Sequence, residues 1–156
     1  MYSSWNNAAF GNKPQRTYKS LQEALVLISE AIRDENEDAQ FYSYLASVAP
    51  AQEAADILIG IRDDELRHLQ MFQDIYYCFT GRQVSPEDMN TAIEPICFYD
   101  GLKQAFFNEI SAIESYRDIL AGLPYIYYRD MVFEILTDEL IHADKINYIF
   151  NIYPMK

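Results

Sequence analysis

Two copies of one phrase, Asp64-Glu65-Leu66-Arg67-His68 and Asp138-Glu139-Leu140-Ile141-His142, contain the only two histidines of the chain and lie 74 residues apart. Residues three apart share one face of a helix, so each Glu and its His can grip a single ion. The same offset of 74 relates Glu35 to Glu109 and Tyr42 to Tyr116. Residues 35–80 lie over residues 109–154 without a gap, and ten of the 46 pairs are identical. Each half then reads as one helical hairpin, and the pair as a pseudo-symmetric bundle.

Periodicity supports four long helices. Ser20 and Glu23 form a capping-box pattern, and behind them Leu21, Leu25, Ile28, Ile32, Glu35, Ala39, Tyr42 and Leu45 trace one helical stripe. A carboxylate within that stripe requires a partner, because an unpaired buried charge is costly. Pro50 ends the first helix and suits the first turn of the second, which Gly81 stops. The inward face of the second helix reads Leu58, Ile61, Glu65, His68, Leu69, Phe72 and Ile75, with Gly60 placed to permit close packing. A third helix from about Asp100 carries Leu102, Phe106, Glu109, Ile113, Tyr116 and Leu120. A fourth, running to about Tyr153, carries Val132, Ile135, Glu139, His142, Ile146 and Ile149.

Residues 81–98 form the longest connection, with Ser85-Pro86-Glu87-Asp88 as a capped helical turn, and their length fits a crossover rather than a tight hairpin. The domain reading is an N-terminal arm over 1–17 and one all-α four-helix bundle over 18–156.

The hairpins place the carboxylates at one depth. Residues equidistant from a turn lie level in an antiparallel pair. The midpoint of Glu35 and Glu65 is Pro50, and that of Glu109 and Glu139 is Pro124. Four carboxylates meeting in a core repel one another and take up protons unless cations neutralise them. Two divalent cations cancel four charges and would bring the formal net charge from −12 to −8. Mixed carboxylate and imidazole ligation suits iron or manganese, with zinc as a substitute.

The totals exclude other classes. A chain of 156 residues, half of them hydrophobic, can bury a real core. Its acidity, with no basic stripe, argues against nucleic acid and against an anionic membrane surface. No run approaches the ~20 apolar residues of a membrane span, and no signal peptide is visible, so a cytoplasmic protein is expected. Cys78 and Cys97 cannot build a four-cysteine metal site and read as reduced, buried thiols.

A Glu seven before a Tyr, then Glu-x-x-His, the whole repeated, resembles the ferritin-like superfamily over residues from about 20 to 153. The likeness is to its rubrerythrin-like and bacterioferritin-like di-iron carboxylate branches. It implies Glu65 and Glu139 as bridging ligands, with Glu35 and His68 completing one metal and Glu109 and His142 the other. It implies that Asp64 holds His142 and that Asp138 holds His68. Tyr42 and Tyr116, the candidate catalytic groups, would bond the terminal glutamates beside them or the opposite carboxylate.

The chain departs from the family in four ways. Ala112 stands where rubrerythrins carry an extra Glu, and two cysteines cannot form a rubredoxin domain. Leu66 stands where bacterioferritin carries a haem-binding Met. The 30-residue spacing within each hairpin is about one helical turn short.

The function implied is a di-iron oxidoreductase acting on hydrogen peroxide or dioxygen, fed by an external electron-donor protein and built as a homodimer. The alternatives are a ferroxidase with iron storage and a non-catalytic stress or scaffold protein that holds metal. The runs Tyr76-Tyr77, Phe98-Tyr99 and Tyr125-Ile126-Tyr127-Tyr128 read as core and dimer contacts, and Glu37, Glu114 and Glu134 as surface or spare carboxylates.

Overall fold

Ser20 opens the first helix chemically. Its hydroxyl accepts the Glu23 backbone N–H at 3.2 Å, while the Glu23 carboxylate accepts the Ser20 backbone N–H at 2.8 Å. Two of the orphan donors at the helix start are thereby satisfied. The computed structural model describes residues 19–85 and 97–153. They form four helices: α1 (Leu21–Ser47), α2 (Gln52–Thr80), α3 (Phe98–Gly122) and α4 (Ile126–Ile152). The 1–17 arm, residues 86–96 of the long connection, and with them all of the Ser85–Asp88 turn except Ser85, lie outside the described residues.

α1 packs along α2 and α3 along α4, while α1 also touches α3 and α2 touches α4. Cross-helix bonds fix the senses. Tyr42 bonds Glu109 and Tyr116 bonds Glu35, so α1 and α3 are antiparallel. Glu53 near the start of α2 takes the hydroxyls of Tyr148 and Tyr153 at the end of α4, so α2 and α4 are antiparallel too. The end of α2 and the start of α3 therefore lie at opposite ends of the bundle.

Two apolar clusters fill the interior on either side of a polar layer. One contains Ile28, Ile32, Phe72, Ile75, Tyr116, Ile119, Val132 and Ile135. The other contains Tyr42, Leu45, Leu58, Ile61, Leu102, Ile146 and Ile149. The offset of 74 exchanges them: Tyr42, Leu45, Leu58 and Ile61 of one map onto Tyr116, Ile119, Val132 and Ile135 of the other. A pseudo-twofold axis thus crosses the bundle through the polar layer.

Several local expectations are corrected. Pro50 lies in the α1–α2 turn, before the N-cap Ala51, and not in the first turn of α2. α3 starts at Phe98, two residues early, and buries that ring. Leu120 is only half-buried, and Ile119 takes the interior place. Gly60 faces open space and allows no close approach. Both cysteines are free and exposed, not buried, and Cys78 accepts the Tyr128 hydroxyl at 2.6 Å. Gly81 does end α2, in the left-handed region at φ 66°.

The close glycine is Gly122. A Cβ there would lie 2.7 Å from both the Ala24 Cβ and the Ser20 carbonyl oxygen. Gly122→Ala must push α1 and α3 apart, at an expected cost of about 1–3 kcal/mol in urea unfolding. An unchanged midpoint would contradict that packing.

Candidate metal centre

The layer between the two apolar clusters holds six polar side chains. Glu35, Glu65, Glu109 and Glu139 are each at most 4% exposed, and His68 and His142 are fully buried. α1 and α3 supply one carboxylate each, and α2 and α4 each supply a Glu and a His three residues apart. The hairpin turns centre beside Pro50 and on Pro124, which sets all four carboxylates at one level.

These six form two overlapping groups, Glu35–Glu65–His68–Glu139 and Glu65–Glu109–Glu139–His142, in each of which the donor atoms lie within 4.8 Å of one another. Glu65 and Glu139 belong to both. His68 Nδ1 faces Glu139 Oε1 at 3.1 Å, Glu65 Oε2 at 3.3 Å and Glu35 Oε2 at 3.6 Å. His142 Nδ1 faces Glu65 Oε1 and Glu139 Oε2 at 3.0 Å each, and Glu109 Oε2 at 3.7 Å. One nitrogen and three carboxylate oxygens converge on each position, from three helices.

Each imidazole turns its other nitrogen outward. His68 Nε2 lies 3.2 Å from Asp138 Oδ2, and His142 Nε2 lies 3.2 Å from Asp64 Oδ2. An Nε2–H donated to an aspartate turns Nδ1 to the centre, where it faces the carboxylates and would offer its lone pair to an ion that displaced its proton. Tyr42 of α1 donates to Glu109 of α3, and Tyr116 of α3 donates to Glu35 of α1. Of the two arrangements open in the sequence, the phenols adopt the one that crosses to the opposite half.

Burial drives the protonation pattern. It raises Glu35 and Glu109 well above the carboxylate range, and the neighbouring charges of Glu65 and Glu139 add to the shift. Glu65 and Glu139 suffer the same burial, but the bonds from both histidines outweigh it and lower them, Glu139 to about 2. The histidines are raised, because bonds to the surrounding glutamates, Glu139 first for His68 and Glu109 first for His142, overcome desolvation; His142 reaches about 12. The cluster holds its charge only with protons or cations among the carboxylates. Glu65 Oε1 and Glu139 Oε1 are buried without any hydrogen bond, although each has a histidine nitrogen at contact distance. Two orphaned carboxylate oxygens at the centre of a hard-and-borderline donor set fit divalent cations.

Two features lay beyond the sequence reading. Asp38, one turn beyond Glu35, accepts the Asn108 side-chain amide at 3.3 Å, and burial first, then Glu65, pushes its carboxyl up to about 8. It lines a cavity of about 310 Å³ between α1 and α3, together with Asp34, Glu37, Asn108, Ser111, Ser115 and Tyr116. The i, i+3 spacing from Glu35 was the available signal. The second feature is Arg67, which lies within the repeated phrase and binds both Asp64 and Asp138. Glu134, read as a surface or spare carboxylate, is exposed and pairs with it at 2.6 Å.

None of the protein-family models matches the chain. One curated relative is similar: the uncharacterized protein YhjR of Bacillus subtilis (strain 168), 33% identical over 89 residues, or 57% of this chain. The chain spans about three-fifths of that relative, 60% of its length. The relative's name assigns it no activity. Among the described residues, no helix is long and apolar enough to cross a membrane.

Proposed function

We propose that this chain is a ferritin-like di-metal carboxylate protein, with iron as the best-fitting ion, that passes electrons to hydrogen peroxide or dioxygen. The observation that carries the reading is the pair of overlapping donor sets sharing Glu65 and Glu139. Manganese or zinc suits the same donors. Two redox-active ions, when bound, supply electrons in pairs to the oxidant.

The chain's own groups do the rest. Glu35 with His68 and Glu109 with His142 would be the terminal ligands of the two positions. Asp138 and Asp64 hold the Nε2 protons of His68 and His142, so each Nδ1 would become a lone-pair donor once an ion displaces its proton. Tyr42 and Tyr116 fix one oxygen of each terminal glutamate and leave the other free to ligate. Burial, followed by the adjacent Glu109 and Glu35 charges, raises both phenols well above their usual range, so each keeps its proton beside the site. The apolar layers above and below exclude bulk water. The cavity walled by Tyr116, whose hydroxyl bonds Glu35, would be the approach for a small oxidant.

Electrons would come from a separate donor protein. A homodimer would cover the outer face of α4, where Ile126, Phe133, Leu140, Ile141, Tyr148 and Ile152 are exposed.

The test is metal content of protein purified without added metal, followed by exposure of the diferrous form to peroxide and then to oxygen. Two irons per chain and an optical change with either oxidant are expected. No metal overturns the site, and metal without any optical change overturns the redox role. The acidic cavity of Asp34, Glu37 and Asp38 favours a second reading, ferroxidase chemistry with iron storage, because it suits passing cations. Storage needs a hollow multi-subunit shell, so a monomer or dimer mass in solution would exclude it.

A further inference from the structure

The repeat is broken beside both histidines: Arg67 precedes His68, whereas Ile141 precedes His142. Arg67 lies on α2, yet its guanidinium joins both halves. Nη2 lies 2.8 Å from Asp138 Oδ2 and 3.2 Å from Asp64 Oδ1, and Nη1 lies 2.6 Å from Glu134 Oε1 on α4. Asp138 Oδ2 is the same oxygen that faces His68 Nε2, and the other oxygen of Asp64 faces His142 Nε2. Lys145 reaches Asp64 only at 3.7 Å, beyond hydrogen-bond distance. One guanidinium therefore ties together the two aspartates that hold the two imidazoles.

We propose that Arg67 is a positioning residue shared by both metal positions, a single fork seated at the pseudo-twofold axis that fixes Asp64 and Asp138 and, through them, His142 and His68. Both aspartates accept from the one planar Nη2 while Glu134 holds Nη1, so the guanidinium plane fixes the direction of the shared N–H bonds, as a freely rotating ammonium would not. The symmetry breaking has a physical reason as well. A second arginine at position 141 would bring a like charge to the same place, so one half keeps the cation and the other carries an apolar side chain. The inference rests on the di-metal reading.

Zinc(II) titration of the metal-stripped protein tests it, followed through the side-chain NMR signals of the two histidines, which report the two positions separately. Arg67→Ile, which copies the twin position, is expected to weaken zinc binding at both histidines by about tenfold, the scale typical for loss of outer ligand support. Arg67→Gln keeps the length without the charge, and should do the same. Moving the arginine across the axis, in the Arg67→Ile/Ile141→Arg double variant, should restore both signals to native behaviour. A role confined to surface stability would not follow the arginine across the axis. Native affinity in Arg67→Ile, a loss at one histidine alone, or a folded double variant without rescue would each overturn the proposal. Native protein that takes up no zinc would instead overturn the di-metal reading on which it rests.

Discussion

Adding zinc in excess over the two positions, to about a thousand times its dissociation constant, is expected to raise the thermal midpoint of the metal-stripped protein by roughly 20 °C. An ion present at a thousand times its dissociation constant stabilises the folded state by about 4 kcal/mol, and each kcal/mol moves a chain of this size by about 2–4 °C. The pH dependence should have opposite signs in the two forms. In the metal-free protein Glu35 and Glu109 are raised, by burial first, and so are His68 and His142. Between the unfolded and folded values of such groups the folded state binds more protons. Their stabilisation is complete below the unfolded values and is lost as pH rises toward the folded ones.

Glu139, lowered to about 2, acts the other way, adding stability above its unfolded value of about 4.5 and losing it as pH falls toward 2. Metal-free protein should therefore be most stable near the ordinary carboxylate range and weaken from about pH 5 to pH 9. The metal-bound form should strengthen over the same interval, because bound ions displace those protons. Urea midpoints of both forms across that range provide the check, and parallel slopes would refute the assignment of the protons to this cluster.

The second large effect distinguishes shared from terminal carboxylates. Glu139→Ala should abolish tight binding at both positions, and Glu65→Ala should match it, because each residue belongs to both donor groups. Glu35→Ala should lose only the position containing His68, leaving the one containing His142. Without metal, Glu139→Ala is also expected to destabilise the fold by about 3–5 kcal/mol, since it strips a buried counter-charge from two raised histidines. Calorimetric stoichiometry separates the cases: near zero for Glu139→Ala and one for Glu35→Ala. One retained ion in Glu139→Ala would mean that this carboxylate is not shared between the two positions.

Much of this arrangement was legible because the chain states it twice. The offset of 74 set Glu35, Glu65, Glu109 and Glu139 at matched depths, and the prolines at the hairpin midpoints placed the turns. Helix starts and surface details were harder. Phe98 joins α3 because its ring belongs to the apolar cluster built from all four helices, a tertiary gain that no cap residue announces. Cys78 looks apolar enough to bury, yet sits on the side of α2 turned toward solvent and Tyr128. Gly60 suggested close packing, but that depends on a neighbour across the helix, and none is there. The role of Arg67 was hidden for a similar reason: its partners on α4 lie 67 and 71 residues away.

The crossed tyrosines carry a consequence for assembly. Tyr42 serves Glu109 and Tyr116 serves Glu35; Asp64 serves His142 and Asp138 serves His68. Every one of these bonds leaves one hairpin and ends on the other, and each has a reciprocal twin. Such reciprocity is the signature of an isologous interface between identical subunits. A single hairpin with this phrase would find every group it lacks in a second copy of itself. The long connection between α2 and α3 joins two such self-complementary halves in one chain, and so leaves them free to differ, as Arg67 and Ile141 do.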